Sequence, residues 1–448
     1  MSEELVVGTK HGNVTLLTMN YRPYNLLMKS QLACTGASLL LGVLLSATTL
    51  ADSAFAQSTP SSAAASGSAS PWDQRVNADA VQTDAWFQNY KFRSGGTLER
   101  VKIHYATLGT PHRNAKGEID NAVLVLHWTG GDSRALLSPT FTQALFDPGR
   151  PLDAKRYYLI FPDSVGHGQS SKPSDGLKTK FPDYDYGDIV DIQHKLVTET
   201  LGIKHLHAIL GMSMGGMNAW QWAEAYPDMM DGVMPVVSLP ISVSGRNLLW
   251  RRMVIDAIRS DPDWKGGDYT QTPRGWTNGF RVLRMMIDSA PALQQQIPNG
   301  AAADKFLATT RMQAEHVDPN DMLYSLKSSL NYDPEPKLSE IKTKVFALNF
   351  SDDEFNPDEL QVLQNTVPKL KQGRYVVQPG TARSPGHFTM TIPALWAQHV
   401  GSFMQWLGDM PSRTGVHPHD VREQRTGSRP EERTLRAGTS ELRSRVPQ

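Results

Sequence analysis

The sequence predicts an α/β fold built on an open, mostly parallel sheet, and three observations carry that expectation. Short, continuous apolar runs recur along the chain. Helical patterns fill several of the gaps between them. One glycine-flanked serine stands where such a run hands over to a helix. Unbroken apolar runs are how strands buried on both faces read, and strands alternating with helices argue a parallel sheet covered by helices.

The runs, in order, are VKIHYATLG (101–109), AVLVLHW (122–128), YYLIF (157–161), HLHAIL (205–210), GVMPVV (232–237), KVFALNF (344–350) and RYVVQ (374–378). Between them, DIVDIQHKLVTETLG (188–202) places apolar residues near the 3.6-residue period and stops at Gly202, the pattern of an amphipathic helix with a glycine stop. One long segment, about 240–340, breaks the alternation and reads as helical throughout, with LLWRRMVIDAIRS and FRVLRMMIDSA as its clearest stretches. A helical cap inserted over the sheet is the economical arrangement. The expected organisation is therefore a core in two parts, 71–239 and 341–410, with the cap at 240–340.

The chain ends read differently. Residues 28–56 carry Lys29, an apolar stretch from about Leu32 to Leu45 and the small-residue pattern Ala54-Phe55-Ala56. That is the build of a secretory signal peptide, and the stretch is short for a bilayer span. Cleavage after Ala56 gives an exported protein, periplasmic or secreted, with no stable membrane anchor and without Cys34, the one cysteine of the sequence. Residues 1–18 precede this signal awkwardly, which places the expected translation start at Met19 or Met28. Residues 57–70 are small and polar, a flexible linker, and 411–448 are rich in Arg, Glu, Ser and Gly, a disordered tail.

Composition narrows the function. The 448 residues carry no formal net charge and are 40% hydrophobic, enough for a large core and no reason to expect a nucleic-acid partner. No glycine-rich nucleotide fingerprint and no zinc-ligand spacing occurs, so neither a cofactor nor a metal is expected.

The chemistry concentrates at Gly211-Met212-Ser213-Met214-Gly215. A bare G-x-S-x-G arises by chance on the order of 0.1–0.2 times in a chain of this length, but here it follows an apolar strand and opens a helix, as a nucleophile elbow requires. The turn forces the serine backbone into strain, and glycines around it let strand and helix approach. A serine hydroxyl is a weak nucleophile and needs a base. In an elbow fold, acid and histidine follow the serine in that order. His387, after the last strand, is the expected base. SDDEFNP (351–357), directly after KVFALNF, offers Asp352, Asp353 and Glu354. Asp352, nearest the strand end, is the expected acid and Asp353 the second choice. The expected oxyanion donors are the backbone N–H of Met214 and one from the loop after AVLVLHW, from Trp128 or Thr129. His127 belongs to that same loop.

These residues sit in longer stretches that resemble a known family. GMSMGGMNAWQWAEAYPD (211–228), GRNLLWRRMVIDAIRSDPDWKGGDY (245–269), DPNDMLYSLKSSLNYDP (318–334) and SDDEFNP resemble the homoserine O-acetyltransferases of the α/β-hydrolase superfamily, over about residues 97–407. The resemblance implies an α/β-hydrolase fold with a helical cap. It implies a Ser213–Asp352–His387 triad, with Arg246 facing a substrate carboxylate and a homodimer formed through the cap helices. Two departures matter. Phe388 stands where the family has an aspartate that holds the substrate amine, and FPDSVGHGQSSKPSDG (161–176) resembles a general hydrolase loop. Export adds a physical argument, because acetyl-CoA is a cytoplasmic metabolite. The expected function is a serine-dependent acyl hydrolase acting on a small-molecule acyl compound. The alternative is an O-acyltransferase using acetyl-CoA or another donor, and the third reading is a binding protein without enzymatic activity.

Overall fold

A computed structural model describes residues 76–408. The expected signal peptide, linker and tail lie outside the described residues. Eight strands form one sheet: β1 (Val81–Lys91), β2 (Thr97–Leu108), β3 (Ala122–Leu126), β4 (Tyr158–Pro162), β5 (Leu206–Met212), β6 (Met230–Val236), β7 (Lys344–Phe350) and β8 (Gly373–Gln378). Their order across the sheet is β1-β2-β4-β3-β5-β6-β7-β8. The pairs β1/β2 and β2/β4 are antiparallel, and every other pair is parallel. The sheet is thus mostly parallel, as the apolar runs predicted.

Strand β1 is not among the predicted runs. Its sequence, VQTDAWFQNYK, buries only Ala85, Phe87 and Tyr90 and exposes the rest. It is an edge strand with one wet face, so it lacks the continuous apolar signature that marks the central strands. In β3 every residue is buried. Its side chains alternate between layers: Val123 and Val125 join one apolar cluster, Ala122, Leu124 and Leu126 the other.

The helices of nine or more residues are α1 (Tyr186–Lys195), α2 (Met214–Ala225), α3 (Gly245–Arg259), α4 (Arg274–Ile287), α5 (Gly300–Glu315), α6 (Pro319–Lys327) and α7 (Ala397–Leu407). Helices α1 and α2 supply Tyr186, Trp220 and Trp222 to one layer, whereas α7 supplies Val400, Phe403 and Met404 to the other. Helix α1 begins with a reciprocal capping box between Asp185 and Asp188 and runs on as a wider turn over Leu196–Thr200. Between β6 and β7 the chain is helical, and α3, α4 and α6 gather a third cluster around Trp250, Val254, Trp276 and Leu326. Phe355, from the loop after β7, belongs to that cluster, so the helical segment is packed onto the loop at the carboxyl end of β7.

Candidate active site

Strand β5 ends at Met212 and α2 begins at Met214, leaving Ser213 as the single residue between them. Its backbone has φ 51° and ψ −112°, a conformation that costs a non-glycine residue on the order of 1–3 kcal/mol. The surroundings hold it there. The N–H of Ser213 donates to the carbonyl of Val236 at 2.9 Å, and its carbonyl accepts from Met217 at 2.9 Å. The glycines are required by close approach. A Cβ on Gly211 would lie 2.1 Å from the carbonyl oxygen of Gly215, and one on Gly215 would lie 2.4 Å from that of Leu126. Strand and helix therefore meet backbone to backbone, with the hydroxyl at the carboxyl end of the sheet.

The Ser213 Oγ lies 2.9 Å from the Nε2 of His387, which sits in the turn Gly386–Thr391 after β8. The Nδ1–H of His387 donates to the Oδ2 of Asp353 at 2.8 Å. This corrects the expectation for the acid: Asp353, not Asp352, touches the histidine. The reason is the turn that ends β7. The N–H of Ser351 still pairs with the carbonyl of Gln378, but the N–H of Asp353 donates back to the carbonyl of Phe350 at 3.2 Å, and this turn sends the two carboxylates to different sides. Asp352 points toward the loop after β8. There its Oδ2 accepts from the Ser384 hydroxyl at 3.1 Å and from the Gly386 N–H at 3.3 Å. Asp353 points the other way, into the interior.

Asp353 is 1% exposed, and every bond it accepts fixes its orientation. Oδ1 takes the backbone N–H groups of Phe355 at 2.8 Å and Asn356 at 3.2 Å, and Oδ2 takes the side-chain amide of Asn356 at 3.0 Å. Asn356 also donates to the carbonyl of Val237, tying the acid to the end of β6. Phe355 stands edge-on to the His387 ring at 4.5 Å. Sequence reasoning did not find Asn356. The Asn-Pro pair closing SDDEFNP is the signal that could have drawn attention to it.

Met214 is the first residue of α2, and a helix's first N–H groups have no carbonyl one turn back to pair with. Trp128 and Thr129 line the same cavity as Ser213. Their loop is anchored by His127: its Nδ1–H donates to the carbonyl of Trp128 at 2.8 Å, while Nε2 accepts from the N–H of Ser164 at 3.0 Å. Because the backbone N–H of Ser164 can only donate, the tautomer of His127 is fixed with its proton on Nδ1. Behind it, the ring of His167 lies 5.2 Å away. Burial pushes the His167 imidazole down to about 3, and its Nε2 lies 2.9 Å from the Ser325 hydroxyl on α6.

Arg246 departs from expectation. It lies in the first turn of α3 on the solvent side, its side chain 55% exposed, and pairs with Glu354 at 3.0 Å and Glu359 at 3.9 Å. The cavity-facing residues of α3 are instead Asn247, Trp250 and Arg251. Arg246 shares a helix face with Trp250, but at the start of α3 its long side chain is drawn out to Glu354 and Glu359. The cavity itself has a volume of about 450 Å³ and an apolar wall, with Trp128, Phe141, Trp250, Phe355 and Phe388 among its aromatic residues. Ser213 and His387 open into it, the arrangement expected of a small-molecule site.

Known proteins share this architecture. Residues 123–279 match the family model of the alpha/beta hydrolase fold. A probable acyltransferase of Methanothermobacter thermautotrophicus is 28% identical over 287 residues, 63% of this chain and 87% of that protein. The homoserine O-acetyltransferase of Thermobifida fusca is 36% identical over 206 residues, 43% of this chain and 53% of that enzyme, so the match spans about half its length. In structure, the homoserine O-acetyltransferase of Bacillus anthracis superposes with a TM-score of 0.65 at 24% identity, covering 72% of this chain and 97% of that one. An acetylester hydrolase of Corynebacterium glutamicum gives 0.61 at 22% identity, covering 73% and 95%. At such identities the structural likeness speaks for the fold. The chain has the α/β-hydrolase fold and is similar in sequence to homoserine O-acetyltransferases.

Proposed function

We propose that this α/β-hydrolase-fold enzyme is a serine-dependent acyl hydrolase with Ser213 as nucleophile, His387 as general base and Asp353 as the acid that orients it. The observation that carries the reading is the continuous hydrogen-bonded line from Ser213 Oγ through His387 to buried Asp353, opening into an apolar cavity. Asp353 holds the proton on Nδ1, which leaves the Nε2 lone pair facing the serine hydroxyl. Ser213 Oγ adds to the acyl carbonyl carbon as Nε2 takes its proton. The oxyanion that forms is received by the N–H of Met214 and by one from the Trp128–Thr129 loop, each such donor being worth about 2.7–4 kcal/mol of barrier. The imidazolium then protonates the departing alcohol, and an acyl-Ser213 ester remains. Water attacks that ester with His387 again as base, releasing the acid and restoring the hydroxyl.

Water as the acceptor is favoured by Phe388, which stands where an amine-holding aspartate would be expected, and by the proposed export after Ala56. A second reading, O-acyl transfer from acetyl-CoA or another donor, is favoured by the relatives that bear acyltransferase names. Both share the acyl-enzyme and differ in the second half-reaction. The test is acyl release from p-nitrophenyl acetate by the mature protein, with and without CoA, alcohol or amino-acid acceptors, beside Ser213→Ala. Release into water that needs Ser213 and ignores acceptors supports the hydrolase. Turnover that rises with an acceptor and yields acylated product supports the transferase.

A further inference from the structure

The stretch SVGHGQSSKPSDG (164–176), which departs from the homoserine O-acetyltransferase pattern, takes no part in the reaction proposed above. It lies behind the oxyanion loop and holds it. The Ser164 N–H donates to His127 Nε2 at 3.0 Å. Gly168, at φ 52°, comes so close that a Cβ there would sit 2.9 Å from the Cβ of Asp132. The ring of His167 packs against that of His127, centre to centre 5.2 Å. From the other side, helix α6 grips the same stretch. Asp321 accepts the N–H and the hydroxyl of Ser174 at 2.8 and 2.6 Å. One turn further along α6, the hydroxyl of Ser325 reaches the Nε2 of His167 at 2.9 Å.

His167 is built to stay where it is. It and Ser325 are both buried. Its Nδ1–H donates to the Val165 carbonyl at 3.2 Å, which leaves Nε2 as the acceptor of the Ser325 hydroxyl. Burial disfavours the charged form, so that acceptor persists at neutral pH. In front of it, His127 sets one peptide plane. The Trp128 carbonyl accepts from the His127 Nδ1–H and from the Gly131 N–H, both at 2.8 Å. In a trans peptide the following N–H points the opposite way, so these two bonds aim the Thr129 N–H away from His127. Thr129 lines the cavity with Ser213. We infer that His167 is a positioning residue of the oxyanion hole: wedged between the Ser325 hydroxyl and the His127 ring, it fixes the peptide that presents Thr129 and ties that peptide to helix α6. The inference rests on the reading of the Trp128–Thr129 loop as an oxyanion donor, and on packing alone for the tie to α6.

The test is pre-steady-state acylation by p-nitrophenyl acetate, which separates the acylation rate constant from ground-state binding. Losing an oxyanion donor outright costs about 10²–10³ in rate, and a misaimed donor costs less. His167→Leu should slow acylation by about ten- to a hundredfold while the ground-state Kd stays within about twofold. Ser325→Ala should slow it by about three- to tenfold, and Ser325→Thr, which keeps the hydroxyl, should retain most of the rate. Because the hydroxyl acts through the ring, Ser325→Ala should add nothing in the His167→Leu background, and a fully additive loss overturns the tie to α6. Unchanged acylation in both single variants, or a loss confined to Kd, overturns the positioning role. Hydrogen exchange at the Gly131 amide, which shares the Trp128 carbonyl with His127, needs no turnover. It should quicken at least about threefold in Ser325→Ala, a change that a helix tolerates well. Unchanged exchange in Ser325→Ala and His167→Leu overturns the proposal whatever the turnover. Faster exchange in a protein whose wild type is never acylated supports the packing and sinks only the proposed reaction.

Discussion

Replacing each member of the Asp352-Asp353 pair by asparagine separates two acids that are adjacent in sequence and opposite in role. In Asp353→Asn the new amide is held by its neighbours. The backbone N–H groups of Phe355 and Asn356, at 2.8 and 3.2 Å, need an acceptor, so the amide oxygen faces them and its NH2 faces His387. An NH2 group donates, and His387 must then accept at Nδ1 and carry its proton on Nε2. The imidazole would present N–H, not a lone pair, to the Ser213 hydroxyl. Wrong-tautomer changes of this kind cost about 10⁴ in kcat, near 5.4 kcal/mol of barrier. In Asp352→Asn the amide oxygen can still accept from Ser384 and Gly386, the two bonds that the carboxylate accepts now. One weakened bond is worth about 0.5–1.5 kcal/mol, roughly tenfold at most. The assay is the acylation burst with p-nitrophenyl acetate, compared at equal folded fraction by circular dichroism. A larger loss in Asp352→Asn than in Asp353→Asn would refute the assignment of the acid and restore the expectation drawn from sequence.

Three further outcomes follow from the geometry. Gly215→Ala drives a methyl to 2.4 Å from the Leu126 carbonyl, and denaturant unfolding should show a loss of about 1–3 kcal/mol together with impaired acylation. Arg246→Ala removes an exposed ion pair, so stability should change by less than about 1 kcal/mol. Esterase kcat/KM should change less than about twofold, and a hundredfold drop would put Arg246 back in the site. His167 titrates near 3 when folded against an ordinary value of 6.5 because burial disfavours its charged form. Between those limits the unfolded chain binds the extra proton, so this stabilisation is present above pH 6.5 and is lost as pH falls toward about 3. The stability–pH curve of His167→Gln should be shallower over that window by up to about 1.4 kcal/mol per pH unit, and parallel curves would contradict the assignment.

The sequence by itself determined the elements whose signal is local. The central strands are buried on both faces, so each is written as an unbroken apolar run, and a strained serine between glycines can be read from five residues because its constraint is steric and short-ranged. His387 was legible for a related reason: the order of the partners along the chain and the strand before it leave few places for the base. What the tertiary structure decided depends on direction. Asp352 and Asp353 are chemically identical, and only the turn closed by the Asp353 N–H on the Phe350 carbonyl directs one toward Ser384 and the other toward His387. Arg246 and Arg251 lie on one helix, and only the docking of α3 puts one in water and the other in the cavity wall. Strand β1 was missed because an edge strand with a wet face carries little apolar signal. Residue type and spacing specify what a side chain can do, whereas packing specifies which way it points and what remains unpaired around it.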